Sequence, residues 1–201
     1  TMADLMKGDQ FIITVTHQGM INRFALSQQK GKFNLAKLSI DNDYVEFADI
    51  TQPNNRLFLF TNMGRCYSFR PSYIPMTNDD ERGTPLARLI PLNEKEKVVF
   101  FLKIDKFTEE QFIVTATRAG LVKKVLLSKF ARIRREGAVF IALKNKDVVV
   151  SVAMTNGNQD LLLATGNGHA IRFHEADVRA MGLTAGGIKG MEIGKENYLI
   201  G

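Results

Sequence analysis

The sequence predicts an all-β protein, a propeller-like array of about four four-stranded blades, and three observations carry that reading. First, one hairpin pattern is written four times: FIITVTHQGMINRF at 11–24, LFLFTNMGRCYSF at 57–69, FIVTATRAGLVKKVLLSKF at 112–130 and LLLATGNGHAIRF at 161–173. Second, each copy has Thr-x-x-Gly at its turn (Thr16/Gly19, Thr61/Gly64, Thr117/Gly120, Thr165/Gly168), and the glycines lie 45, 56 and 48 residues apart. That period belongs to repeat proteins whose unit is a small supersecondary element. Third, no segment sustains an apolar period of 3.6 residues; Glu175 to Met181 leaves room for a single helical turn.

Within each hairpin, an apolar strand runs into the turn and a second strand leaves it. The turn glycine supplies the positive φ that a tight hairpin needs. Two residues past it stand Ile21, Cys66, Val122 and Ala170, and five past it Phe24, Phe69, Val125 and Phe173. Polar or long side chains lie between: Asn22-Arg23, Tyr67-Ser68, Lys123-Lys124 and Ile171-Arg172. This alternation predicts a half-buried strand whose intervening residues face outward. A linker with a second glycine follows (Gly83, Gly137, Gly187), and six residues beyond it come Leu89, Leu143 and Ile193. Polar turns and a last apolar run complete a unit of about four short strands in about 50 residues. Residues 1–10 read as a lead-in, and the whole of 1–201 reads as one domain. Its blades fall at about 8–55, 56–108, 109–158 and 159–201. The final run reaches the handover to another unit, so four blades are expected to belong to a larger array.

The chain has 201 residues, 45% of them hydrophobic, enough to bury a core. No apolar run approaches the length of a membrane-spanning helix, and the first ten residues lack an apolar signal core, so a soluble, cytoplasmic protein is expected. The single cysteine, Cys66, excludes an internal disulfide and reads as a small buried hydrophobe. His17, His169 and His174 have no spaced partners, and there is no HExxH pattern, so no metal site is expected. The acid pairs Asp79-Asp80 and Glu109-Glu110 sit in loops and read as solvated. ATGNGH around Gly166 and Gly168 lacks the lysine and Ser/Thr of a phosphate loop. Nothing has the pattern of an active site.

Net charge is +6, and its distribution is uneven. Between Arg118 and Gly137 stand seven basic residues against one acid, Glu136. Concentration of this kind favours a polyanionic partner. Basic residues at equivalent repeat positions (Arg23, Lys123, Lys124, Arg172) are expected to form a stripe. Lys30, Lys32, Arg65, Arg70, Arg82, Lys129, Arg132, Arg134, Arg135 and Arg179 extend it. Such a stripe neutralises phosphates without reading sequence, and a curved one bends the duplex. Tyr67, Tyr73, Phe107 and Phe130 are not interleaved for base stacking, which favours duplex over single strands. The alternatives from other classes are a propeller module whose basic face meets an acidic protein, and an enzyme with its site at the array's centre.

These residues resemble a known family. ADLMKGDQFIITVTHQGMINRF is similar to the opening blade of the C-terminal domain of type IIA DNA topoisomerase A subunits, meaning those of DNA gyrase and of topoisomerase IV. LFLFTNMGRCYSFRPSYIP with RGTPLARLIPL resembles the second blade, FIVTATRAGLVKKVLLSKFARIRREG the third, and LLLATGNGHAIRFHEADVRAMGLTAGGIKGMEI a later one. The resemblance covers essentially the whole chain in family order. It implies a β-pinwheel of five or six blades with strands exchanged between neighbours, and a basic edge that bends or wraps duplex DNA. It implies as partners the N-terminal breakage-reunion core of the same polypeptide and the separate ATPase subunit, in the bacterial cytosol or an organelle of bacterial descent. The domain itself needs no cofactor, ATP and magnesium being used elsewhere in the parent enzyme. The family's catalytic tyrosine lies in an N-terminal region outside this sequence, so Tyr44, Tyr67, Tyr73 and Tyr198 do not inherit its role.

One departure stands out. Gyrases carry a Q-R-R-G-G-K-G loop in the first blade, and here the place reads LSQQKGK, 26–32, with Gln28, Gln29, Lys30 and Lys32 as its remnant. From hairpin glycine to linker glycine the other repeats span 19, 17 and 19 residues, whereas Gly19 to Lys32 spans 13. Shortening and alteration together put gyrase-style supercoiling in doubt and leave a topoisomerase IV-like role open.

Overall fold

A computed structural model of the chain describes residues 10–28, 42–77, 82–194 and 196–201. Most of the lead-in, the first-repeat loop with Lys30 and Lys32, and the Asp79-Asp80 pair lie outside the described residues. The strands are β1 (Phe11–Thr16), β2 (Met20–Ala25), β3 (Val45–Thr51), β4 (Arg56–Thr61), β5 (Arg65–Phe69), β6 (Thr84–Pro85) and β7 (Val98–Ile104). There follow β8 (Phe112–Thr117), β9 (Leu121–Leu126), β10 (Ala138–Val139), β11 (Val149–Thr155), β12 (Asp160–Ala164), β13 (Ala170–His174) and β14 (Ile188–Lys189). They form three four-stranded sheets, ordered β3-β1-β2-β6, β10-β5-β4-β7 and β11-β8-β9-β14, and a two-stranded sheet β12-β13. The fold is all-β, as predicted, with helical pieces of one or two turns, among them Leu86–Leu89 and the 3-10 segment Glu175–Asp177.

Each hairpin turns by one device. The glycine N–H donates back to the threonine carbonyl (Gly120 to Thr117, 2.9 Å), and the glycines hold φ between 73° and 85°. The threonine hydroxyl oxygen then accepts the next N–H, from Met20, Arg65, Leu121 and His169 in turn, at 3.1, 3.3, 3.2 and 3.2 Å. So the threonine of Thr-x-x-Gly satisfies a backbone donor that the turn leaves over. Around three of the turns an acid or amide from later in the chain accepts the N–H of the third turn residue: Asp43, just before β3, from Gln18; Asp147, just before β11, from Ala119; and Asn197 from Asn167.

At Gly120 a Cβ would come 2.5 Å from the Met191 carbonyl oxygen, whereas at Gly168 nothing lies within 4 Å, although both have positive φ. Gly168→Ala is therefore expected to cost about 1 kcal/mol for its backbone conformation, and Gly120→Ala about 2–4 kcal/mol because a clash is added. Urea unfolding of both variants checks this, and equal losses would refute the close packing at Gly120.

The fourth strand of each four-stranded sheet comes from the following repeat. Gly83, Gly137 and Gly187, all at positive φ, each precede a two-residue strand. Its register is the same three times: Ile21 opposite Thr84, Cys66 opposite Ala138, Val122 opposite Ile188. Strand exchange, implied by the family resemblance, is thus written in the pairing itself.

Of the strands that follow a turn glycine, β13 alternates, with Ala170 and Arg172 exposed and Ile171 and Phe173 half-buried, whereas β2, β5 and β9 do not. The outer strand β3 also alternates. β1 is buried throughout, and in β2 Ile21, Asn22, Arg23 and Phe24 are all buried. Hairpin strands in the middle of a sheet are covered on both faces, so the period-2 rule for a half-buried strand fails there.

The chain forms two compact units. The first holds the described residues up to Phe58 with those of Ser68–Glu94 and Phe101–Asp105; the second holds Leu59–Tyr67, Lys95–Phe100 and the described residues of Lys106–Gly201. In the second unit Phe60 meets Phe130 and Phe140 edge-on, with centroids 5.8 and 5.1 Å apart. A further cluster joins Val114, Ala116 and Val122 of one sheet to Leu163, Val178 and Leu199. Cys66 is fully buried, and burial pushes its thiol well up.

Candidate nucleic-acid interface

The segment between β9 and β10 displays four exposed cations within seven residues. It begins with a 3-10 helix, Leu127–Arg132, capped where the Ile133 N–H donates to Phe130. Three residues per turn place Leu127, Phe130 and Ile133 on one inward face, and all three are buried. Lys129 and Arg132 are turned out and exposed, as are Arg134 and Arg135. The chain then bends where the Gly137 N–H donates to the Arg134 carbonyl at 3.0 Å. A Cβ on Gly137 would run into the Tyr67 ring. Four cations are thereby held on a segment anchored at both ends. Arg135 lies 3.7 Å from Glu136, an exposed pair of small energetic weight.

The same place in other repeats is built alike. Arg70 is exposed at the start of the 3-10 turn Pro71–Tyr73, which ends on buried Ile74. Glu175–Asp177 ends on buried Val178, and exposed Arg179 follows. Arg82 is exposed just before Gly83, and Arg172 is exposed on β13 with Asp160 at 3.5 Å.

The stripe expected at equivalent strand positions is not on the surface. Lys123 is fully buried, and its ammonium donates to the carbonyls of Phe140, Leu183 and Ala185 at 2.7, 2.6 and 2.7 Å. Burial brings it down to about 8, and the three carbonyls favour its protonated form. Lys124 is also buried; its ammonium donates to the Glu175 carbonyl at 2.5 Å and lies 3.9 Å from that residue's carboxylate. The carboxylate in turn accepts from the Thr155 hydroxyl at 2.7 Å and the Gln159 N–H at 3.0 Å. Arg23 is buried with its guanidinium over the Phe11 ring, 5.0 Å from the centroid, and burial lowers its pKa. Arg65, half-buried, donates to the Tyr67 hydroxyl at 3.0 Å and to the Glu136 carbonyl at 3.3 Å. The assignment of Lys123, Lys124 and Arg23 to phosphate binding is therefore corrected: they sit on doubly covered strands and their charges serve the interior. Only Arg172 of that repeated position is exposed.

Among the described residues no group of three or more His, Cys, Asp or Glu could hold a metal ion, and no helix is long and apolar enough to cross a membrane.

Repeated hairpins closed by strands from the next repeat, with exposed cations on the linkers, define a β-pinwheel domain of the propeller class. The chain belongs to the family described as DNA gyrase C-terminal domain, beta-propeller, whose model matches residues 55–105, 111–156 and 159–201. It is 36% identical over 192 residues to the DNA gyrase A subunit of Clostridium acetobutylicum, covering 93% of this chain and 23% of that protein. With the DNA gyrase A subunit of Escherichia coli it shares 29% over 204 residues, 99% of this chain and again 23% of the relative. The chain thus spans about a quarter of the length of these relatives. The solved C-terminal domain of DNA topoisomerase IV superposes with a TM-score of 0.87 at 29% identity, over 98% of this chain and 61% of that one. The E. coli ParC C-terminal domain, at 18% identity and a TM-score of 0.77 over 96% and 78% of the two chains, shares the fold.

Proposed function

We propose that this chain is a non-catalytic domain that binds duplex DNA and bends or wraps it for a type II topoisomerase of the gyrase or topoisomerase IV kind. The observation that carries the reading is the anchored 127–137 segment with Lys129, Arg132, Arg134 and Arg135 exposed on it. Lys and Arg on a rigid support release counterions from phosphates and give affinity for any duplex, steeply weakened by salt. Arg70, Arg82, Arg172 and Arg179 occupy comparable exposed positions. DNA cleavage and the use of ATP and magnesium belong, on this reading, to the N-terminal core and the ATPase subunit. The enzyme would work in the cytoplasm.

The test is fluorescence anisotropy with unrelated duplexes across a salt series. Replacing Lys129, Arg132, Arg134 and Arg135 by glutamine is expected to weaken binding evenly across sequences. The log–log salt slope should fall by ~0.9 for each phosphate no longer neutralised. An unchanged slope would remove this segment from the interface, and absence of any duplex affinity in the wild type would overturn the reading. Linking number of relaxed plasmid resealed on the domain then separates the two modes: a shift means wrapping with a fixed hand, and none means bending.

A further inference from the structure

We propose that the hairpin-turn end of the second unit carries a second phosphate-contacting track for duplex DNA, distinct from the 127–137 segment. This inference rests on the reading of the domain as a duplex binder. Its residues are Lys95, Lys97, Arg118, Lys144 and Lys146, all exposed.

A continuous run of hydrogen bonds sets their turns side by side. The Asn62 N–H donates to the Lys97 carbonyl at 2.9 Å, and its side-chain amide donates to the Lys95 carbonyl at 3.3 Å. The Val149 N–H donates to Asn62 at 2.9 Å, the Arg118 N–H to Val148 at 2.8 Å, and the Leu199 N–H to Arg118 at 2.9 Å. Lys144 and Lys146 belong to a tight turn in which Asn145 and Lys146 have φ of 53° and 61° and the Asp147 N–H donates to Lys144. Two successive left-handed residues define a sharp reversal that is uncommon without glycine, so the turn holds a costly shape with both lysines on it. The Arg118 guanidinium lies over the Tyr198 ring, 4.2 Å from its centroid, which orders an otherwise mobile cation.

The neighbouring acids are mostly engaged. Asp147 accepts from the Ala119 and Val148 N–H groups, Glu96 is buried against Thr61 and Tyr67, and Glu192 pairs with Lys189 at 3.7 Å. Glu196 and, next to Lys95 in sequence, Glu94 are exposed; Asp147 and Glu96 keep their charge on neutral donors, so outside the Glu192–Lys189 pair five cations stand against four acids, with Glu96 buried beneath them. The track and the 127–137 segment lie at opposite ends of the β8–β9 hairpin. Arg118 stands before β9 and the 3-10 helix starts after its six residues, a separation of about 20 Å at the strand rise. Lysines dispersed along turns, with one aromatic already covered by arginine, fit a phosphate backbone better than a protein interface, whose centre is rich in aromatics and poor in charge.

The experiment compares salt slopes of duplex binding for the 201-residue chain, for a track variant (K95Q, K97Q, R118Q, K144Q and K146Q) and for the 127–137 variant. Thermal melting controls for folding, and single substitutions replace any combination that lowers the melting temperature. Both variants should show a slope reduced by ~0.9 for each phosphate they release, and the reductions should add when the two are combined. A track variant with the wild-type slope, beside a 127–137 variant whose slope falls, overturns the track and leaves the proposed function standing. If that track variant alone loses affinity for polyglutamate, the surface is one for an acidic protein. A wild type without duplex affinity overturns the DNA reading and the track with it.

Discussion

Lys123→Met is expected to lower the unfolding free energy by on the order of 3–5 kcal/mol, one of the two largest single losses in the molecule. Methionine nearly preserves the volume, so the loss is not a cavity effect. It arises because the carbonyls of Phe140, Leu183 and Ala185 lose their shared donor, the first in the buried interior and the other two at its partly buried margin. Denaturant unfolding measures it, with Lys129→Met, exposed on the linker, expected to stay within about 0.5 kcal/mol of wild type. A loss below about 1 kcal/mol for Lys123→Met would show that the carbonyls find other partners. The same lysine makes stability depend on pH. Burial lowers it to about 8 from 10.5, so between those values the unfolded chain binds more protons than the folded one. Its contribution therefore rises with pH from about 8 to about 10.5 and is flat below about 8. Lys123→Met should lack that rise.

Glu175→Ala is the second. Its fully buried carboxylate accepts from Thr155 and from the Gln159 N–H and faces the Lys124 ammonium. Removing one partner of a buried ion pair leaves the other charge uncompensated, and about 3–5 kcal/mol is expected. Thr155→Val removes a single donor and should cost about 1 kcal/mol. In a double-mutant cycle most of that cost should vanish once Glu175 is alanine. Full additivity would mean that the threonine does not act through the carboxylate.

The hairpins, their turns and their period were legible because turn chemistry is local. A glycine at positive φ is demanded by the chain within four residues, and it is printed in the sequence. The threonine was visible as a pattern, but its hydroxyl's acceptor role emerges only when the following N–H is seen to lack a strand partner. The exposed cations of the linkers were legible too, since they share a segment with few acids. What misled was the second hairpin strand. Its alternation reads as half-buried, and an interior lysine is the exception that hydropathy discounts. Nothing near Lys123 in sequence names Leu183 or Ala185, 60 and 62 residues away, as its acceptors. The 3-10 spacing of Leu127, Phe130 and Ile133 was present in the sequence, and a three-residue period would have pointed to it.

The borrowed strands have a consequence for how the chain tolerates being cut. The first sheet needs residues from Phe11 to Pro85, the second from Arg56 to Val139 and the third from Phe112 to Lys189. These spans overlap like roof tiles, so no cleavage point between Phe11 and Lys189 leaves every sheet intact on one side or the other. A nick anywhere in that range therefore splits at least one sheet. During synthesis each sheet waits for the next repeat to leave the ribosome before its last edge is covered.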